Sequence, residues 1–311
     1  MKNVMTHVEI PAFDTPITYR SRLLLMGACF VGHIGDALSQ RRFKATVNPF
    51  GVVYNPLSLA QSLLRLQSAT PFTAGEVIEN ETLYTTFFHH SSFSHPHRDT
   101  FLIQANNALR QGAEAFAAAD VVILTLGTAR VYYDKETKQV VNNCHKLPAA
   151  RFQQTVLTVD EIVEALWPVI EPSGSRWILT VSPIRHWKDG AHNNQLSKAA
   201  LLLAAEKLQQ LTGKVSYFPA YELMMDELRD YRFYAEDMLH PSSQAVRYIW
   251  ERFAEAAFPE ETKKTMREAE KIITAQNHRP LHPGSAACRQ FKEKLAQQIA
   301  AFNARYPELS F

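Results

Sequence analysis

The chain has 311 residues, 46 % of them apolar and 21 % charged, with a formal net charge of +2. That length and balance describe one or two globular domains with a sizeable core. They exclude any case for nucleic acid or an anionic membrane surface that rests on bulk charge. The longest apolar runs, Val121–Leu126 and residues 199–205, are far too short to span a bilayer.

Residues 1–7 carry no apolar signal core, so a cytoplasmic location is expected. Residues 22–27 (Arg-Leu-Leu-Leu-Met-Gly) read as a buried strand ending in glycine. Residues 31–42 follow with helical spacing, Val31, Ile34, Ala37 and Leu38 facing one way. A short second strand, 44–47, closes in Asn48-Pro49-Phe50-Gly51, and Asn55-Pro56 opens a helix over 57–66. Residues 72–97, rich in Thr, Ser, His and Phe, read as a long surface excursion with short strands, its histidines solvated rather than metal-binding. An Ala-rich helix over 101–119 leads into the clearest buried strand, 120–127. Residues 130–133 and 139–142 flank a polar turn and look like a hairpin. Thr158 and Glu161 fit a capping box for a helix over 158–169. Strands over 177–181 and 215–219 enclose a helix over 195–211, and helices over 242–258, 260–276 and 285–305 complete the chain.

Strands alternating with helices predict a parallel five-stranded sheet covered on both faces, a three-layer α/β/α sandwich. We expect an α/β domain over 1–258 and a helical C-terminal extension over 259–311. Ligands of such sheets bind beyond the carboxyl ends of the strands. Cys29, Gly51, Gly127, Ser182 and the 237–240 segment all fall there.

Asp237 and His240 stand three apart just before a predicted helix, so a helical turn would project both to one side. A carboxylate that ties down one ring nitrogen leaves the other as a base. Cys29, between a strand end and a helix start, is the candidate nucleophile, favoured by helix N–H groups that also suit an oxyanion. Three cysteines, Cys29, Cys144 and Cys288, fit neither a disulfide framework nor a zinc module. Gly51, Asn48 and Thr128 are candidates for the oxyanion pocket, with Asn142 and Asn143 as alternatives to Asn48. His145, Arg185 and His186 are candidate substrate ligands, Arg185 through its fork of donors to a carboxylate or phosphate.

Several blocks carry a resemblance: Gly27-Ala28-Cys29-Phe30-Val31, Asn48-Pro49-Phe50-Gly51, Tyr54-Asn55-Pro56, Thr125-Leu126-Gly127-Thr128-Ala129, Asn143-Cys144-His145-Lys146, Ser182-Pro183-Ile184-Arg185-His186 and Asn194-Gln195-Leu196-Ser197-Lys198. With Tyr217-Phe218-Pro219-Ala220-Tyr221-Glu222 and Asp230-Tyr231-Arg232-Phe233-Tyr234, the chain from about residue 20 to 255 resembles the GSCFA family. That family is similar to the SGNH, or GDSL-like, hydrolases, which implies a flavodoxin-like fold and ester hydrolysis. On that resemblance the nucleophile block falls on Gly27-Ala28-Cys29, the glycine block on Gly51, the Gly-x-Asn-Asp block on Gly127-Thr128-Ala129-Arg130, and the Asp-x-x-His block on Asp237 and His240. Alanine stands at 28 where the family name has serine, and at 129 where the wider group has its asparagine. The leading expectation is an acyl-ester hydrolase using Cys29, His240 and Asp237 on a small-molecule or glycan ester, without metal or organic cofactor. The alternatives are a non-catalytic binding or scaffold protein and an acyltransferase acting on a glycan.

Overall fold

The computed structural model describes residues 6–309; residues 1–5, part of the opening stretch read above, lie outside them. The chain runs through β1 (Arg22–Gly27), α1 (Phe30–Gln40), β2 (Lys44–Val47), α2 (Pro56–Ser68), β3 (Ile78–Asn80), β4 (Leu83–Thr85), α3 (Arg98–Ala117) and β5 (Val121–Leu126). It continues through β6 (Arg130–Asp134), β7 (Val140–Val141), β8 (Phe152–Val156), α4 (Val159–Ile170), β9 (Arg176–Val181), α5 (Ala191–Leu211) and β10 (Val215–Phe218). A short α6 (Ala220–Glu222), α7 (Ser243–Ala257), α8 (Glu260–Asn277) and α9 (Ala286–Arg305) follow.

Five strands pair in parallel in the order β10-β9-β5-β1-β2, as expected. Every residue of β5 is buried, which a parallel sheet covered on both faces requires. Side chains alternate. Leu23 and Leu25 of β1 pack with Val31 and Ile34 of α1 and Ile249 and Phe253 of α7. Leu24 and Met26 pack on the other face with Leu63 of α2, Leu109 of α3, Leu166 of α4 and Leu201 of α5. Burying each such side chain stabilises by roughly 1.5–3 kcal/mol, so a one-residue slip of register is heavily penalised. Chain order reverses between β1 and β5, which makes their ends the switch point of the sheet.

Local signals set the helix starts. Asn55 caps α2 by accepting from the Ser58 N–H at 2.8 Å, with Pro56 in the first turn. Thr158 and Glu161 form the expected capping box of α4.

Four features differ from or add to the reading above. The hairpin gains a third strand, β8, paired antiparallel with β6; four of its five residues are exposed, so no apolar alternation announces it, and an Arg151–Asp134 ion pair of 2.6 Å helps hold it. The 72–97 excursion is packed rather than solvated around His89: that ring is 0 % exposed among Phe50, Phe72, Phe93 and Phe101. Burial holds His89 near a pKa of about 3, hence neutral. The 237–240 segment is a turn without helical geometry, Met238 taking a φ of 58°, while α7 follows it as expected, beginning at Ser243 and capped by Ser242. The C-terminal helices pack on the domain: Met266, Ala269 and Ile272 of α8 and Phe302 of α9 join the core with Phe43 and Phe258, and Arg41 pairs with Glu270 at 2.5 Å. Among the described residues no helix is long and apolar enough to cross a membrane.

Candidate functional site

Cys29 is the cap residue of α1, immediately past β1. It is half-buried, against the edge of the core. Its thiol donates to the phenol oxygen of Tyr54 at 3.9 Å. Among the described residues its backbone N–H has no acceptor, as is usual at a helix start. Position 28 faces elsewhere. Ala28 is 3 % exposed, and a side chain added at Gly127 would strike its Cβ at 2.9 Å. The interior therefore holds residue 28, and the rim holds Cys29.

The strand-to-helix turn below Cys29 is braced by Asn48. Its Oδ1 accepts from the Gly27 N–H at 2.8 Å and its Nδ2 donates to the Gly27 carbonyl at 3.3 Å. Gly27 has φ 139°, and a Cβ there would lie 2.2 Å from the Thr125 carbonyl oxygen, so only glycine fits.

Asp237 and His240 meet as expected, through different geometry. Asp237 Oδ1 accepts from the N–H groups of Leu239 and His240, both at 2.9 Å, and this turn brings Oδ2 to His240 Nδ1 at 2.5 Å. The His240 and Leu239 N–H groups, then the imidazole, hold the Asp237 carboxyl at about 2. Both side chains are about half exposed, and the other ring nitrogen of His240 has no hydrogen-bond partner among the described residues.

His240 belongs to a group of three imidazoles. Its charge depresses the basicity of His33, one turn along α1 from Cys29, and of His186. In His33 burial is the larger cause and Asp36 opposes it. Burial, then Lys198 and His240, hold His186 at about 4, so this ring is neutral at neutral pH. His186 in turn meets the Tyr54 ring edge to face at 6.3 Å, and Tyr54 is the hydrogen-bond partner of the Cys29 thiol. Cys29 and His240 share no direct hydrogen bond; the thiol's partner is Tyr54.

The remaining candidates are mostly spent on the fold. The Gly51 N–H donates to the Asn48 carbonyl at 2.8 Å, and its φ of 80° and contact with His90 explain the glycine. Thr128 is buried; its N–H donates to the Tyr54 carbonyl and its hydroxyl bonds Ser197 at 3.1 Å. Ala129 is fully buried, and its N–H is taken by Ser197 at 2.7 Å. Asn142 donates to the Val52 and Phe88 carbonyls and accepts from the Tyr54 N–H, while Asn143 braces Ser91 and the His145 N–H. The His145 ring contacts the Thr86 carbonyl at 2.9 Å, which makes it a staple of the excursion. Cys144 is half-buried, and burial raises its thiol to about 11. Arg185 lies beside the dyad in a cleft it shares with Asp237.

Three residues of the site went unmarked in the sequence as functional groups. Tyr54 and Lys198 lie inside blocks quoted above, and His33 stands four residues after Cys29 on one helix. Lys198 is 1 % exposed and donates to the carbonyls of Gly127 and Ser182, each at 2.7 Å, tying together the ends of β5 and β9. Among the described residues no group of three or more His, Cys, Asp or Glu side chains is placed to hold a metal ion.

Comparison with known families agrees with these blocks. The model of the GSCFA family matches residues 22–253. That of the GSCFA domain protein, C-terminal domain, matches residues 269–311, the helices for which the sequence offered no resemblance. Comparison with curated proteins finds no match.

Proposed function

We propose that this chain, which belongs to the GSCFA family, hydrolyses acyl esters with Cys29, His240 and Asp237. One observation carries the reading. A carboxylate holds one nitrogen of an accessible imidazole while the other stays unengaged, within electrostatic reach of the helix that starts at Cys29. The finer kinship, to the SGNH (GDSL-like) hydrolases, is supported by the sheet order 2-1-3-4-5, counting these strands along the chain, and by an Asp-x-x-His turn that follows the last strand.

In this mechanism the Cys29 sulfur attacks the ester carbonyl carbon as His240 takes the thiol proton. The negative oxygen is held by the open Cys29 N–H, the positive end of α1 and the Tyr54 hydroxyl. Collapse breaks the ester C–O bond, and His240 returns the proton to the departing alkoxide. A thioester remains on Cys29. Water then adds to it, giving its proton to His240, and the acid leaves as the thiol is restored. Asp237 fixes the tautomer throughout. Serine or alanine at position 28 is immaterial here, because that side chain packs against Gly127.

A second reading, a binding or scaffold protein on the same fold, draws on the N–H groups of Gly51 and Thr128, which are spent internally, and on Tyr54 rather than His240 at the thiol. Turnover of p-nitrophenyl butyrate separates the two. Under the hydrolase reading Cys29→Ala and His240→Ala each lower kcat by about 1,000-fold or more, and acid-quenched wild type carries a butyryl group on Cys29. Undiminished turnover by Cys29→Ala defeats the reading. Release of p-nitrophenol only when a sugar acceptor is added, with the acyl group found on the sugar, assigns transfer instead.

A further inference from the structure

The cleft beside Asp237 has a volume of about 600 Å³, within the range of small-molecule sites. Met224, Met225 and Leu239 supply apolar wall, Tyr234 and Trp187 supply rings, and Arg185 supplies charge. Met224 and Met225 are held there by a wide turn of π-helix over Leu223–Glu227, a distortion that recurs at functional sites.

Arg185 is the unusual element. Its Nε is buried and has no hydrogen-bond partner. Two other arginines share that description, but Arg65 bonds Glu76 at 2.9 Å and Arg130 meets Asp189 at 3.1 Å. Among the described residues Arg185 has no such carboxylate; its guanidinium lies 5.0 Å from the Trp187 ring centroid. Its charge reaches the phenols of Tyr221 and Tyr234, and Arg229 brings a second guanidinium to the lining. The neighbouring carboxylates are committed: Asp237 to His240, Glu222 to the Tyr217 hydroxyl, and Asp226 lies 3.7 Å from Arg229. A guanidinium fork whose buried Nε lacks a partner suits an oxygen of a carboxylate or phosphate, with the second oxygen meeting the terminal nitrogen beside it.

We infer that this cleft binds a substrate carrying an oxyanion group, a carboxylate or a phosphate, which completes the pairing of Arg185 while the apolar wall receives the adjoining chain or ring. Its assignment to substrate rests on the hydrolase reading; the anion site itself does not. Trp187, half exposed at the mouth, reports occupancy.

The test titrates wild type and Cys29→Ala with glutarate and, separately, with inorganic phosphate, following the tryptophan emission that Trp187→Phe removes. We expect saturable quenching by one of the two, the same in Cys29→Ala, and weakened about 30-fold or more in Arg185→Met, with part of the affinity kept in Arg185→Lys. Saturation by glutarate assigns a carboxylate, and by phosphate a phosphate. In turnover, wild type prefers p-nitrophenyl hemiglutarate to p-nitrophenyl butyrate by about 10-fold or more in kcat/KM if the group is a carboxylate, and Arg185→Met loses that preference. Binding without turnover of either ester defeats the hydrolase reading and sustains the anion site. Absence of saturation by both probes in wild type overturns the anion site, whether or not neutral esters are hydrolysed. Quenching that survives in Arg185→Met and Arg185→Lys alike also overturns it. Should Arg185→Met fail to fold, the wild-type titration and Arg185→Lys decide.

Discussion

Replacing Lys198 by methionine tests how the rim of the sheet is held together. The side chain is 1 % exposed, and its ammonium is satisfied by two carbonyls, of Gly127 and Ser182. Burial, reinforced by the charge of Arg185, lowers its pKa from 10.5 to about 7. The unfolded chain keeps this proton until near the ordinary value, while the folded protein gives it up from about 7. Between those values the unfolded state binds more protons, so the contribution of Lys198 to stability rises with pH. The whole difference corresponds to about 5 kcal/mol, and roughly 3 kcal/mol of it falls between about pH 7 and about pH 9.5. Methionine has a stem of similar length and carries no proton, so Lys198→Met lacks this rise. It also leaves two carbonyls without their donor, a loss of about 2 kcal/mol near neutral pH. Urea denaturation followed by circular dichroism at both pH values measures the effect. Subtracting mutant from wild type cancels the groups that titrate alike in both. Curves that rise in parallel, within about 0.5 kcal/mol, would refute the buried-cation account.

Other expectations address the site and its scaffold. Gly27→Ala places a Cβ 2.2 Å from a backbone oxygen at a φ of 139°, so we expect a loss of about 3 kcal/mol or more and a Tm lower by roughly 6 °C or more in a thermal scan. Iodoacetamide near neutral pH followed by peptide mapping should label half-buried Cys29 ahead of Cys144, whose thiol is raised to about 11, and of buried Cys288; equal rates would remove the case for a reactive Cys29. Asp237→Asn retains an acceptor for the turn but not the charge that steadies the imidazole, and kcat on p-nitrophenyl butyrate should fall about 100-fold or more. Because the Asp237 carboxyl titrates at about 2, its ionisation should put no limb in the wild-type kcat/KM profile above about pH 4. A profile that loses an acidic limb near that pH on Asp237→Asn would contradict the assignment.

Much of the architecture was legible along the chain because it is written in local terms. The apolar runs of β1 and β5, the Asn55-Pro56 start and the Thr158–Glu161 box each declare themselves within a few residues. Alternation of such strands with amphipathic helices then implies a parallel sheet, and a parallel sheet places its functional groups beyond its carboxyl ends. Where local signal is absent the reading failed. β8 is exposed and has no periodicity, and His89 lies in a polar stretch whose burial depends on phenylalanines far along the chain.

Which rim residues are free to act was decided only by tertiary contacts. Asn48, Gly51 and Thr128 have the side chains and N–H groups an oxyanion would need, yet folding commits them to Gly27, to the turn itself, and to Tyr54 and Ser197. Conversely, nothing near Lys198 or Arg185 in sequence says that one cation will be saturated by two strand ends while the other faces a cleft with no ion-pair partner among the described residues. Backbone propensity and apolar period act over a few residues and survive in the one-dimensional string. Hydrogen-bond saturation and charge pairing depend on partners brought together only when the chain closes.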